Sequence, residues 1–166
     1  AFLLLHGELP TAPQLAAFRD RVATAASTLP TAVLDALVGL ARSAPQAAPM
    51  DALRTGVSML GLVARDDLPG PRPELLAQAE RLLGQVPAIL TAWIDMTTGR
   101  PVAPWPAKPL AAALLERLTG RVPTSGQVAI FGTTLVLYAE HEFNASTFAA
   151  RTVASTRSVS LRTSAR

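Results

Sequence analysis

The chain has 166 residues, 49% of them hydrophobic but only 5% aromatic, with a formal net charge of +3 and no cysteine. That length suits one ordinary domain with a real core, and an interior filled by Ala and Leu favours packed helices over a β-sandwich, which draws on β-branched and aromatic residues. Disulfides, thiol chemistry and cysteine-type zinc sites are excluded, and scattered arginines beside the sole lysine, Lys108, argue against a nucleic-acid surface.

The opening Phe2-Leu-Leu-Leu5 run is too short for a membrane span or signal sequence and reads as a chain entering in mid-helix. No uninterrupted apolar run reaches membrane length, so a soluble, cytoplasmic protein with no membrane partner is expected. His6 reads as a surface or capping histidine. Thr11-Ala-Pro-Gln14 is a helix start: Thr caps, Pro sits in the first turn and Gln completes a capping box. Leu15, Phe18, Val22 and Ala25 then recur at helical spacing and predict one buried face, closed by Leu29-Pro30. Thr31 opens a second helix with Val33, Leu34, Leu37 and Leu40 inward, ended by Pro45.

A third helix begins at Pro49, with Asp51 at its positive end and Met50, Leu53, Val57 and Leu60 on one face. Gly56 and Gly61 each lower helix propensity by roughly 1 kcal/mol against Ala, which implies close helix contact there. Arg54 points off that face, toward solvent or a salt bridge. Residues 65–73 are the clearest loop, rich in Pro, Gly and Asp. Pro73-Glu74 opens the longest helix, to about Thr98, with a broad apolar stripe of Leu75, Leu76, Ala79, Leu82, Leu83, Val86, Leu90, Trp93 and Ile94. Pro87 is expected to kink it, and Gly99 to end it. A linker follows with prolines at 101, 104, 106 and 109 around Trp105, expected to plug an apolar groove. Leu110 to Leu118 form a short helix stopped by Gly120, and Thr124-Ser-Gly-Gln127 is a second capping box. There is no internal repeat and no period-2 strand.

The chain is organised around Leu135 to Ala150, where an apolar helix ends in Glu140, His141 and Glu142. Asn144, Ser146 and Thr147 follow, types that satisfy free backbone N–H groups at turns and helix starts. The expected form is a buried helix, a polar corner and a new helix, with His141 at the corner able to aim a ring N–H at an anionic group. Glu140 and Glu142 diverge by about 200° on a helix end and read as capping and salt-bridging groups.

Tyr138-Ala-Glu-His-Glu-Phe-Asn-Ala-Ser-Thr-Phe148 resembles the central motif of the citrate synthase family, and its Tyr-Ala-Glu wording is closer to the 2-methylcitrate synthase branch than to the His-Ala-Asp of citrate synthases proper. Leu4-Leu-His-Gly-Glu-Leu-Pro-Thr11 and Pro49-Met-Asp-Ala-Leu-Arg-Thr-Gly-Val-Ser-Met-Leu-Gly61 resemble two further family segments, in the same order. The resemblance implies an all-α, multi-helix bundle of seven or so antiparallel helices. It equates residues 1–156 with part of the family's large helical domain, with the small catalytic domain absent. Ala48 departs from the family's usual His before Pro-Met-Asp. Arg157 to Arg166 departs as an irregular tail, as a truncation or frameshift would produce.

Such enzymes condense an acyl-CoA with oxaloacetate; an aspartate takes a proton alpha to the thioester carbonyl and histidines stabilise the developing charge. No residue of this chain matches those catalytic groups, so the chain is expected to be inactive alone. His141 matches a family histidine that binds an oxaloacetate carboxylate, and Asn144 belongs to the same motif. The resemblance implies no metal and no bound cofactor, with the CoA thioester as substrate, propionyl-CoA as acyl donor, and a homodimer through the helices at Met50–Val63 and Glu74–Thr98. The alternative is a non-catalytic helical dimerisation module derived from such an enzyme.

Overall fold

A computed structural model describes residues 1–64, 71–106, 108–139 and 145–155. The described residues form helices and no strand: α1 (Phe2–His6), α2 (Ala12–Ser27), α3 (Thr31–Ser43), α4 (Pro49–Ala64), α5 (Arg72–Thr97), α6 (Leu110–Thr119), α7 (Ser125–Leu137) and α8 (Ala145–Ser155). The all-α reading holds, with one helix more than the seven or so expected.

Local chemistry sets most boundaries. The Thr11 hydroxyl accepts from the Gln14 N–H while the Gln14 side chain takes the Thr11 N–H, and Thr124 and Gln127 repeat the arrangement at α7. Thr11→Ala should therefore lower stability by about 1 kcal/mol, read as a small shift of the urea midpoint without change of slope; an unchanged midpoint would remove the cap from the account. Gly7, Gly99 and Gly120 adopt positive φ at or just after helix ends, where a Cβ is disfavoured. Pro87 lies inside α5, which runs through it for 26 residues.

α5 is the central helix. It packs against α2 and α4, and more lightly against α3 and α6. The core cluster joins Val33 and Leu37 of α3, Ala52 and Leu60 of α4, and Ile89, Ala92 and Trp93 of α5. α2 buries Phe18, Val22, Ala25 and Ala26, so its expected face holds. α3 buries Val33 and Leu37, with Leu34 and Leu40 packed at the cluster's edge. Leu37→Ala should cost about 2–5 kcal/mol, because Leu37 is fully enclosed; a thermal melt within a degree or two of the parent would contradict that placement.

Three expected faces are corrected. On α4 the buried set is Ala52, Gly56 and Leu60, while Met50 is 68% exposed and Val57 lies at the surface. The face turns because a Cβ on Gly56 would stand 2.6 Å from Ile89 Cγ2: the helices touch at the glycine, and the small residues go inward. Gly61, also expected at a close contact, faces open space. On α5 the inward surface follows Gly84, where α2 comes to backbone contact, and Ala88, Ile89, Ala92 and Trp93, while Leu75 and Leu82 stay exposed. α7, expected to be buried, buries no residue: among the described helices it packs chiefly against α6, which covers one of its sides.

Candidate functional site

α7 ends at Leu137 with Tyr138 as its C-cap, and α8 begins at Ala145. The two helix ends expected around the polar corner therefore exist. His141 and Asn144, the residues expected to bind oxaloacetate, lie outside the described residues, as do Glu140 and Glu142. Near the N-terminal end of α7 the structure shows a groove of about 530 Å³ between α6 and α7, bordered by Arg121, Gln127, Ile130 and Phe131.

Two buried carboxylates stand elsewhere, Glu80 and Asp95, and the sequence reading singled out neither. Glu80 of α5 is buried, and its Oε2 accepts from Arg21 Nε at 2.6 Å while Oε1 accepts from Arg21 Nη2 at 3.2 Å. His6 Nε2 lies 2.9 Å from Glu80 Oε1. The ring of Phe2 stacks on His6 at 4.2 Å and meets the edge of Phe18 at 5.5 Å. His6 is thus no surface or capping histidine: it joins α1 to α5 across 74 positions of sequence.

The Arg21 hydrogen bonds hold the Glu80 carboxyl below its ordinary range against the opposing effect of burial, and the His6 bond adds to the lowering. A carboxylate so held is a poor general base, and Glu80 borders none of the described cavities, so its work is cross-linking. The sign of the linkage follows. A depressed folded-state pKa contributes stability that is present above the unfolded value, 4.5, and is lost as pH falls through the folded value. Acid titration should show extra destabilisation below about pH 4.5 that Glu80→Gln removes; equal acid sensitivity of parent and variant would refute it.

The second carboxylate, Asp95, is also buried, and holds Arg100 Nε at 3.0 Å and the Arg117 Nη2 guanidinium nitrogen. Arg100 also donates to the Arg117 carbonyl at 3.1 Å. This triad fastens the end of α5 to α6. Arg54 meets Asp51 at 2.8 Å on the exposed side of α4, as a surface salt bridge. Trp105 is half-buried and walls two cavities, of about 330 and 210 Å³, rather than filling one. Among the described residues no cluster of three or more His, Asp or Glu could hold a metal ion, and no single helix is long and apolar enough to cross a membrane.

The described residues form eight helices and no strand, and comparison with known proteins names the family. The family model described as "Citrate synthase, C-terminal domain" matches residues 1–162; this chain belongs to the citrate synthase family. It is 40% identical over 165 residues to 2-methylcitrate synthase 2 of Corynebacterium glutamicum, a match covering 95% of this chain and 42% of that protein. It is 38% identical over 167 residues to a 2-methylcitrate synthase of Shewanella oneidensis, covering 95% and 41%. The crystal structure of citrate synthase from Pyrobaculum aerophilum superposes with a TM-score of 0.78 at 29% identity, covering 95% of this chain and 40% of that one. The chain thus spans about two fifths of the length of these relatives.

Proposed function

We propose that this chain forms the oxaloacetate-holding part of an acyl-CoA:oxaloacetate condensing enzyme of the 2-methylcitrate synthase type. The observation that carries the reading is the Tyr138-Ala-Glu-His141 motif, set between the end of α7 and the start of α8, in a chain 40% identical to a 2-methylcitrate synthase. His141 and Asn144 bind a carboxylate of oxaloacetate, with the imidazole donating to the anion. Propionyl-CoA is the acyl donor. The reaction draws on a CoA thioester and a keto acid as substrates and calls for no bound metal or redox group. The proton-abstracting aspartate and its partner histidines have no counterpart in this chain, so turnover requires polypeptide beyond it.

The assembly is a cytoplasmic homodimer. Met50, Leu62 and Val63 of α4 and Leu75 and Leu82 of α5 are exposed large apolar side chains on two helices packed against each other. A groove of about 550 Å³ between these helices, bordered by Val57, Leu60, Gln78 and Leu82, gives a second copy a seat.

Isothermal calorimetry with oxaloacetate tests the reading. The parent chain should bind the keto acid, and His141→Ala should weaken binding by about tenfold or more, the worth of a charge-assisted hydrogen bond. If the parent chain shows no oxaloacetate heat yet elutes as a dimer, the non-catalytic dimerisation module replaces the enzyme reading. If Leu62→Glu leaves the dimer intact, the α4–α5 interface is wrong.

A further inference from the structure

The segment that joins α5 to α6 is fastened at its ends and loose between them. Arg100 is tied to Asp95 and to the Arg117 carbonyl, and Lys108 to Glu116. Prolines at 101, 104 and 106 have no N–H to give. Among the described residues, the backbone from 101 to 105 makes no backbone hydrogen bond to a helix. Trp105 is the one aromatic side chain of this segment, and it stands half-buried between two cavities.

Protein interiors are packed about as closely as organic crystals, with few voids larger than a water molecule. A space of about 330 Å³ beside a loosely held tryptophan departs from that rule. Its walls are apolar: Phe18 and Val22 of α2, Leu83 of α5, Pro109 and Leu110 at the head of α6, and Trp105 itself. The charged side chains that border it, Arg19, Asp20 and Lys108, belong to exposed residues and so stand at its mouth. Arg19 and Asp20 are of opposite sign, and Lys108 is already taken by Glu116. The hollow therefore offers no buried charge to meet an ion inside, and burying an unpaired ion is costly.

Size and ring chemistry narrow the occupant further. An apolar cavity of about 150 Å³ stays dry and admits one benzene ring, and this space is roughly twice that, enough for two fused rings. Phe18 and Trp105 give aromatic walls, which favour offset or edge-on contact with a flat ring system. Beyond Trp105 lies the second cavity, of about 210 Å³, whose buried Thr91 hydroxyl already donates to the Ala88 carbonyl. The indole thus has room to shift when a guest enters on its other side.

We infer that the space between α2, α5 and Trp105 is a binding site for an uncharged bicyclic aromatic molecule, with Trp105 as its movable wall. Small-molecule sites are characteristically apolar hollows of this size with a few polar groups placed around them. The site shares no residue with the 138–148 motif, so it is independent of the oxaloacetate reading.

Fluorine NMR of protein grown with fluorotryptophan tests it, because the chain has two tryptophans, Trp105 and the fully enclosed Trp93. Trp105→Phe assigns the two lines. Titration with naphthol should move the Trp105 line to saturation and leave the Trp93 line in place. Naphthoate, the same rings with a carboxylate, should bind at least ~10-fold more weakly, because its charge meets no buried partner. Ala23→Phe puts a ring into the space from the α2 side and should abolish the shift. Absence of a saturable shift of the Trp105 line overturns the inference, as does equal binding of naphthoate. A folded Ala23→Phe protein that still binds overturns it as well; if that variant fails to fold, the parent titrations with the two ligands decide. A Trp105 line that moves with protein concentration, without ligand, overturns it in favour of a second copy.

Discussion

Gly84→Ala is expected to lower the melting temperature by roughly 5–10 °C, the largest loss from any single added methyl among the glycines. A Cβ at this position would stand 2.2 Å from the Val22 carbonyl oxygen and 2.8 Å from the Ala26 nitrogen. Both are backbone atoms of α2, which no rotamer change can move. The helix pair with the most extensive packing in the fold would have to separate, at about 3 kcal/mol for overpacking of this kind. The gain in helix propensity, about 1 kcal/mol, offsets only part of it. Gly39→Ala supplies the contrast: it lies within α3 with open space where its Cβ would point, so the same substitution should stabilise by up to about 1 kcal/mol. Differential scanning calorimetry of the two variants decides. A Gly84→Ala protein melting at or above the parent would show that α2 and α5 do not meet as described.

The second large effect concerns Asp95. Asp95→Asn should cost about 3–5 kcal/mol, since removing one partner of a buried ion pair strands the others. Arg117 is 11% exposed by side chain and its Nε is buried without an acceptor of its own, while Arg100 Nε has the Asp95 carboxylate 3.0 Å away. The carboxylate is therefore what makes two guanidinium groups tolerable where α5 meets α6. Lys108 with Glu116 is the control, a more exposed pair whose loss should cost no more than about 1 kcal/mol. Equilibrium urea unfolding of Asp95→Asn and Glu116→Gln measures the difference. Comparable midpoints for the two would mean that the triad is held by solvent and not by burial.

Much of the site was legible as order and little of it as geometry. Three family motifs stand in sequence at residues 4–11, 49–61 and 138–148, and the family match over residues 1–162 agrees with them. The helix starts at Thr11 and Thr124 and the stop at Gly120 were readable because each depends on residues within four positions of one another. The Glu80–Arg21–His6 cluster was not readable. Its members lie 59 and 74 positions apart, and no local spacing marks a carboxylate that will be buried against an arginine. Asp95 left a faint signal, a lone acid beside Trp93 and Ile94 in an apolar stripe, without any hint of its partners.

The amino-acid order by itself determined the all-helical class, the caps and breaks, and the motif that names the family, because these follow from hydrogen bonds and dihedral preferences within a turn or two of the chain. The faces of α2 and α3 were legible from periodicity, but tertiary structure alone decided which way α4, α5 and α7 face. Periodicity counted Met50 and Val57 as inward together with Leu60, but the closeness of Gly56 to Ile89 turned α4 so that Ala52 went in beside Leu60 and left those two outside. The apolar count of α7 called for burial, and only the packed fold shows that, among the described residues, packing against α6 leaves none of its side chains buried. Hydrophobic pattern says that a side chain gains by leaving water; the distance at which two backbones meet says which one does.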